Sequence, residues 1–244
     1  MEMIKLLKSH STVRNYTDEK IPEALLHEFI KAGQHASSSH FVQAYSVIHV
    51  TDEAKKEELK KWADNHVQFD TAAAVLIFCA DLKRNETAAK MHGEPFEGST
   101  AENLLVSVID AALFAQNVAV AAESEGYGIC FIGGIRNNIR EISELFELPD
   151  YVIPLFAMTI GVPAKRNEVK PRLPLEAVLH KDRYDASKYE ALLKQYDEVM
   201  REYYQTRSSN QKDQKWTVGM AKFFRKPRRE HMKQFIEEKR FFLK

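Results

Sequence analysis

Four short polar segments hold the residue types that could do chemistry in this chain. His10-Ser11-Thr12-Val13-Arg14-Asn15-Tyr16 puts an imidazole, two hydroxyls and a guanidinium close together. Those donors suit a phosphate or the polar edge of a ring. Ser37-Ser38-Ser39-His40 adds three hydroxyls after a helical pattern, where serines also serve a plain turn. Phe131-Ile132-Gly133-Gly134-Ile135-Arg136-Asn137 ends an apolar run in a glycine pair. Missing side chains there let a ligand approach the backbone, or let the chain turn tightly from strand to helix. In Glu168-Val169-Lys170-Pro171-Arg172-Leu173-Pro174 two cations flank a rigid proline. That is an anion clamp on extended chain, with a solvated linker as the plainer reading.

Familiar catalytic signatures are missing. The sequence contains no GxGxxG, GxxxxGK[ST], HExxH or GxSxG, so neither a Rossmann cradle nor a P-loop is expected. The histidines are scattered, with no pair at i, i+4, and the two cysteines, Cys79 and Cys130, have no CxxC neighbour. No metal site is expected. Both cysteines lie in apolar runs, as free buried thiols of a reducing compartment do.

The elements that must position these segments follow from periodicity. Pro22 opens an amphipathic helix to about Ala36. Gln43 to Val50 is predicted as a strand, 53–65 as a charged helix, and Ala72 to Cys79 as a strand buried on both faces. Residues 83–100, with Gly93, Pro95 and Gly98, are expected to form a mobile loop. Glu102 to Glu125 is predicted as one long helix, apolar almost all round, with Gly126 as its C-cap. Its Asp110 would be penalised in a bilayer, so a core helix is expected rather than a membrane span. Strands are predicted at Gly128–Gly134 and Val152–Val162, with a helix from Ile139 to Leu148 between them. Alternating helices and strands indicate a layered α/β or α+β domain. After Pro163 the character changes: an extended excursion over 164–184, then helical patterns at 187–205, 216–225 and 230–240. The expected organisation is a core over 1–163 and an excursion with a helical arm over 164–244, all within one domain.

The chain has 244 residues, 44% hydrophobic and 29% charged, a balance that excludes wholesale disorder, collagen and coiled coil. The formal net charge of zero hides an asymmetry, because residues 201–244 carry 13 Lys and Arg against 5 Asp and Glu. The N-terminus has neither a long apolar region nor an A-x-A site, so secretion is not expected and a cytoplasmic location is.

Taken in order, these segments resemble the flavin reductase and oxygen-insensitive nitroreductase family, in its larger NADPH-linked branch. His10-Ser11-Thr12-Val13-Arg14 is similar to the opening flavin loop. Ala36-Ser37-Ser38-Ser39, followed by Gln43, is similar to the second contact segment. Ile132-Gly133-Gly134-Ile135-Arg136-Asn137 is similar to the strand end beneath the flavin ring. The segment Glu168 to Pro174 is the most specific match. Tyr203-Tyr204-Gln205-Thr206-Arg207, with Ser209-Asn210-Gln211-Lys212, resembles the loop that holds the NADPH phosphate.

The resemblance implies an α+β, nitroreductase-like fold, with a central mixed sheet surrounded by helices. It implies an intertwined homodimer with a C-terminal extension and one FMN per subunit at the dimer interface. It further implies a ping-pong oxidoreductase that passes hydride from NADPH through FMN to nitroaromatics, quinones or free flavins, with no side-chain acid or base. The implied FMN residues are His10, Ser11, Thr12, Arg14, Ser38, Ser39, His66, Gln68, Phe131, Ile132, Gly133, Gly134, Lys170 and Arg172. Arg207 and Lys212, with Arg229 as a further candidate, are implied for NADPH. Two departures stand out. Ser11 replaces a frequent arginine, and His66 and Gln68 fall where a glutamine and an aromatic are common. An FMN-binding protein with little turnover is one alternative. A nucleic-acid binder using Lys222, Arg225, Lys226, Arg228 and Arg229 is another, opposed by the zero net charge. Neither nucleic acid nor membrane is an expected partner.

Overall fold

A computed structural model describes residues 2–64 and 66–241. The chain divides into two compact units, Met1–Arg166 with Arg229–Lys244, and Asn167–Arg228. Elements of the first unit run α1 (Met3–Lys8), α2 (Glu23–Gln34), β1 (Tyr45–His49), α3 (Glu53–Ala63), α4 (His66–Thr71), β2 (Ala74–Asp81) and α5 (Lys83–His92). They continue as α6 (Ala101–Ser124), β3 (Gly128–Ile132), α7 (Ile139–Leu145) and β4 (Val152–Gly161). The second unit contains α8 (Tyr189–Thr206) and α9 (Trp216–Phe223), and α10 (Met232–Glu238) returns to the first.

The sheet order is β1-β2-β4-β3. The resemblance implies a mixed sheet, whereas every strand pairing among the described residues is antiparallel. The physical reason is the order. β2 and β3 run in the same direction, as helix-linked strands do, but β4 lies between them and prevents a parallel pair. The apolar runs of β2 and β4 are buried on both sides because helices cover both faces. On one face Leu76, Phe78 and Ala80 meet Phe29 of α2 and Phe114 and Val118 of α6. On the other, Val75, Ile77 and Cys79 meet Leu59 of α3 and Ile142 of α7.

Helix α6 is the expected long helix, and it buries Ala111, Phe114, Ala115, Val118, Ala119 and Ala122. Its end is a Schellman turn: Tyr127 N–H donates to Ala122 O at 3.1 Å and Gly126 N–H to Glu123 O at 3.1 Å. Gly126 takes φ +87°, a conformation that favours glycine.

The expected mobile loop over 83–100 is corrected in its first half, which is helix α5. Its sequence has no apolar period. It is held by ionic ties instead: Glu86, 9% exposed, sits between Lys83 at 2.5 Å and Lys90 at 3.2 Å. Lys83 N–H also donates to Asp81 Oδ1 at 2.8 Å. Gly93, at φ +69°, closes the helix, so the loop signals marked only its end. Helix α4 is a further addition, a single turn and a half in a segment with no clear period. Asn65, the expected end of the charged helix, lies outside the described residues.

Candidate functional site

The His10 loop is placed by two glycines. Gly128 of β3 and Gly161 of β4 face each other across the ladder. A Cβ on Gly128 would stand 2.5 Å from Val13, and one on Gly161 would stand 2.8 Å from the Tyr16 ring. The two bare backbones therefore form a slot that Val13 and Tyr16 fill, and both residues are buried. Val13 N–H donates to Ile129 O at 3.0 Å and Thr17 N–H to Val162 O at 2.9 Å, so the loop runs along the sheet end. The Tyr16 hydroxyl donates to Val13 O at 2.9 Å, and burial holds its phenol well above the ordinary range. Arg14, between two inward residues, is left exposed beside β3. Its guanidinium acts on the neighbouring Cys130, whose thiol burial nevertheless raises.

At the other end of β3, Phe131 is half-exposed and meets Phe156 edge-on, with ring centroids 5.5 Å apart. Ile132 is buried. The chain then turns through Gly133–Arg136 as a short 3₁₀ helix. Arg136 folds back beneath this turn and donates to Leu155 O. Desolvation lowers its pKa. The returning C-terminal segment secures the turn from outside. Arg229 Nε donates to Asn137 Oδ1 at 3.0 Å, and His231 Nε2 to Arg136 O at 3.0 Å. Gln68 lies on α4, whose Thr71 Oγ1 accepts the Tyr16 N–H at 3.2 Å. The His66 side chain lies outside the described residues.

His10 and the serines are both anchored on α6, at distant points. His10 Nδ1 donates to Glu123 Oε1 at 2.6 Å. Asp110 is 1% exposed and takes three donors: Ser38 Oγ at 2.7 Å, Ser39 N–H at 3.2 Å and Ala44 N–H at 3.1 Å. Thirteen helical positions separate Asp110 from Glu123, roughly 20 Å at 1.5 Å per residue. One chain therefore brings the His10 loop and α4, which carries Gln68, to the start of β3 and the Gly133 turn to the end of that strand, and leaves Ser38 and Ser39 about 20 Å from the His10 anchor along α6. Asp110 and Glu123 anchor these segments, and sequence reading does not give the partners of either. The signal for Asp110 was a lone carboxylate in an apolar helix, which must find donors when buried.

Within the second unit, Arg172 Nη1 donates to Lys170 O at 2.7 Å and the Tyr196 hydroxyl to Pro171 O at 2.9 Å. These bonds fix the Lys170-Pro171-Arg172 segment with both cations exposed. Beside it is a cavity of about 440 Å³ lined by Lys170, Arg172, Tyr196, Tyr204, Trp216 and Met220, among others. Arg207 and Lys212 both lie over Tyr204, at 4.8 and 4.6 Å from the ring centroid. Arg207 Nε donates to Asn210 O at 3.0 Å and folds the loop on itself. Arg229, the third residue expected at NADPH, belongs to the first unit.

The sequence pattern of the nitroreductase family matches residues 7–162, and that of the family's C-terminal domain matches 170–244. The chain belongs to the nitroreductase family. Among its curated relatives, a Cr(VI) reductase of Pseudomonas sp. strain G-1 is 54% identical, over 98% of this chain and 99% of that protein. An oxygen-insensitive NADPH nitroreductase of Salmonella typhimurium is 38% identical, over 96% of each chain. A solved nitroreductase of Bacillus subtilis superimposes with a TM-score of 0.95 at 36% identity, covering 100% of both chains. The NADPH:FMN oxidoreductase of Vibrio harveyi, solved with NAD+, gives 0.90 at 31% identity, over 99% of each chain. The backbone framework of this nitroreductase-family chain is thus similar to those of the solved proteins along its whole length.

Proposed function

We propose that this protein is an FMN-dependent NADPH oxidoreductase, acting in the cytoplasm as a homodimer on small oxidised acceptors. The observation that carries the reading is the placing of Ser11, Thr12 and the exposed Arg14 beside β3, the strand that ends in the Gly133-Gly134 turn. Hydroxyls, a cation and bare backbone are a donor set that fits FMN, an anion with a polar ring edge. FMN held there would supply the hydride-transfer chemistry between NADPH and the acceptor.

The chain's own residues then have definite tasks. Arg14 stabilises negative charge at the N1–O2 edge of the ring. The backbone around Gly133 and Gly134 would offer N–H donors to the polar edge of the ring. Phe131 and Ile132 would shape the strand end, and Gln68 would border the ring edge. Lys170 and Arg172 hold the phosphate, with His10, Ser11 and Thr12 assisting. Arg207, Lys212 and Arg229 bind NADPH. Ser38 and Ser39 reach the cofactor from a second copy of the chain, which accounts for their distance from the His10 loop. Support for the dimer comes from α6, which exposes Leu105, Val108, Ile109 and Leu113 at helical spacing. Nitroaromatics, quinones and free flavins are the acceptor classes, and the name of the Pseudomonas relative adds a Cr(VI) species.

Anaerobic titration of the purified yellow protein tests the reading. NADPH should bleach the flavin, and each acceptor should restore its colour after NADP+ has left. A protein that stays oxidised under NADPH would favour a flavin-binding role without turnover. The Lys170→Ala/Arg172→Ala double variant should lose FMN, since each charged contact is worth about 1.5–3 kcal/mol. Full flavin content in that variant would reassign the phosphate site.

A further inference from the structure

Three cations share one aromatic ring in the second unit. Lys212 Nζ lies 4.6 Å, the Arg207 guanidinium 4.8 Å and Lys170 Nζ 5.5 Å from the centroid of Tyr204. Like charges gathered so closely repel one another. They stay together here because the ring presents a negative face to each. Tyr204 is itself fixed: it is buried on α8, packed in a cluster with Tyr196 and Met200 and against Trp216. It also anchors the loop through its backbone. Tyr204 O accepts Lys212 N–H at 3.1 Å, and the adjacent Tyr203 O accepts Arg207 N–H at 3.1 Å.

We propose that Tyr204 is the positioning residue for NADPH selectivity, its ring holding Arg207 and Lys212 in register for the 2′-phosphate. The proposal rests on the reading of those two cations as the phosphate clamp. The Arg207 guanidinium is also tied to Asn210 O, and the ring adds a second constraint on it and one on Lys212 Nζ. A dianionic phosphate gains because it meets two cations already gathered, with less side-chain freedom left to lose. Lys170, on the same ring, adds to the positive field.

Tyr204→Leu removes the π face and keeps an apolar side chain in the cluster, whereas Tyr204→Phe keeps the face. NADP+ binding to the holoenzyme is measured by calorimetry for both and for Arg207→Ala, together with the NADPH to NADH ratio of kcat/KM. Tyr204→Leu is expected to weaken NADP+ about tenfold and lower the ratio about tenfold, corresponding to about 1.4 kcal/mol. Tyr204→Phe is expected to stay within about twofold, as cation–π geometry requires no hydroxyl. If Arg207→Ala weakens NADP+ and Tyr204→Leu does not, the clamp stands and the role of Tyr204 is overturned. Equal losses in Leu and Phe variants would also overturn it. If Arg207→Ala leaves NADP+ binding intact, the clamp itself is overturned, and the role of Tyr204 with it.

Discussion

Single residues decide what each segment can do. Arg14 owes its exposure to its neighbours: Val13 and Tyr16 enter the glycine slot, and the intervening guanidinium must face out. Gly161→Ala puts a methyl 2.8 Å from a rigid ring. Overpacking of this kind costs about 1–3 kcal/mol. For a chain of this length that lowers Tm by roughly 2–12 °C, measured by calorimetry, and it should lower FMN occupancy as the Arg14 loop lifts. Both cysteines are free and buried, and burial pushes the Cys79 thiol up to about 12. A raised thiol pKa means that the unfolded chain loses its proton first as pH rises. Stability from Cys79 is therefore intact below the ordinary thiol range and falls as pH climbs through it towards about 12. Native protein at pH 8 should leave both thiols unreactive to a disulfide reagent, with two thiols titrating after denaturation. Rapid native reaction would show that one is reachable. The polar segments, Arg14 and the glycine pair at 133–134 were legible as residue types. The Asp110 and Glu123 anchors were not, because a carboxylate's partners come from distant loops.

Among the elements, α6 organises the most. It packs on the sheet and on α2, and its buried Asp110 gathers three donors from the Ser38–Ala44 turn. Asp110→Ala strands the Ala44 N–H in a fully buried position. One stranded buried donor costs about 1–3 kcal/mol, and three share this carboxylate. The variant should lose more than about 2 kcal/mol in denaturant unfolding, and the serine turn should become protease-sensitive. A loss below about 0.5 kcal/mol would mean that water replaces the carboxylate. Helix α6 and strand β2 were readable because length and apolar continuity exceed what a loop allows. Helix α5 was not, since ion pairs with a buried Glu86, rather than an apolar stripe, hold it together.

For the whole molecule, the exposed stripe Leu105, Val108, Ile109 and Leu113 is the surface a second copy would cover. Ile109→Glu, at a position 53% exposed in the single chain, should leave the subunit folded. It should shift light scattering from dimer to monomer at micromolar protein and release FMN in parallel. A charge at the centre of an apolar contact costs several kcal/mol unless paired. A stable FMN-loaded dimer in that variant would place the subunit interface elsewhere. The returning C-terminal segment is tied to the first unit by an ion pair of the opposite sense to the net charges: Arg140 of α7 binds Glu238 of α10 at 2.7 Å.

By itself, the order of the polar segments along the chain determined the family, and apolar continuity determined the buried strands and the central helix. Both are local properties: a motif or a buried run is written in consecutive residues. The tertiary structure alone decided the antiparallel order, with β4 between β2 and β3, because pairing depends on which strands of similar composition meet. It alone showed that Gly128 and Gly161, 33 positions apart, make one slot. It alone placed Lys170, Arg207 and Lys212 around Tyr204, since a shared ring face is a fact of three dimensions that no spacing in the chain encodes.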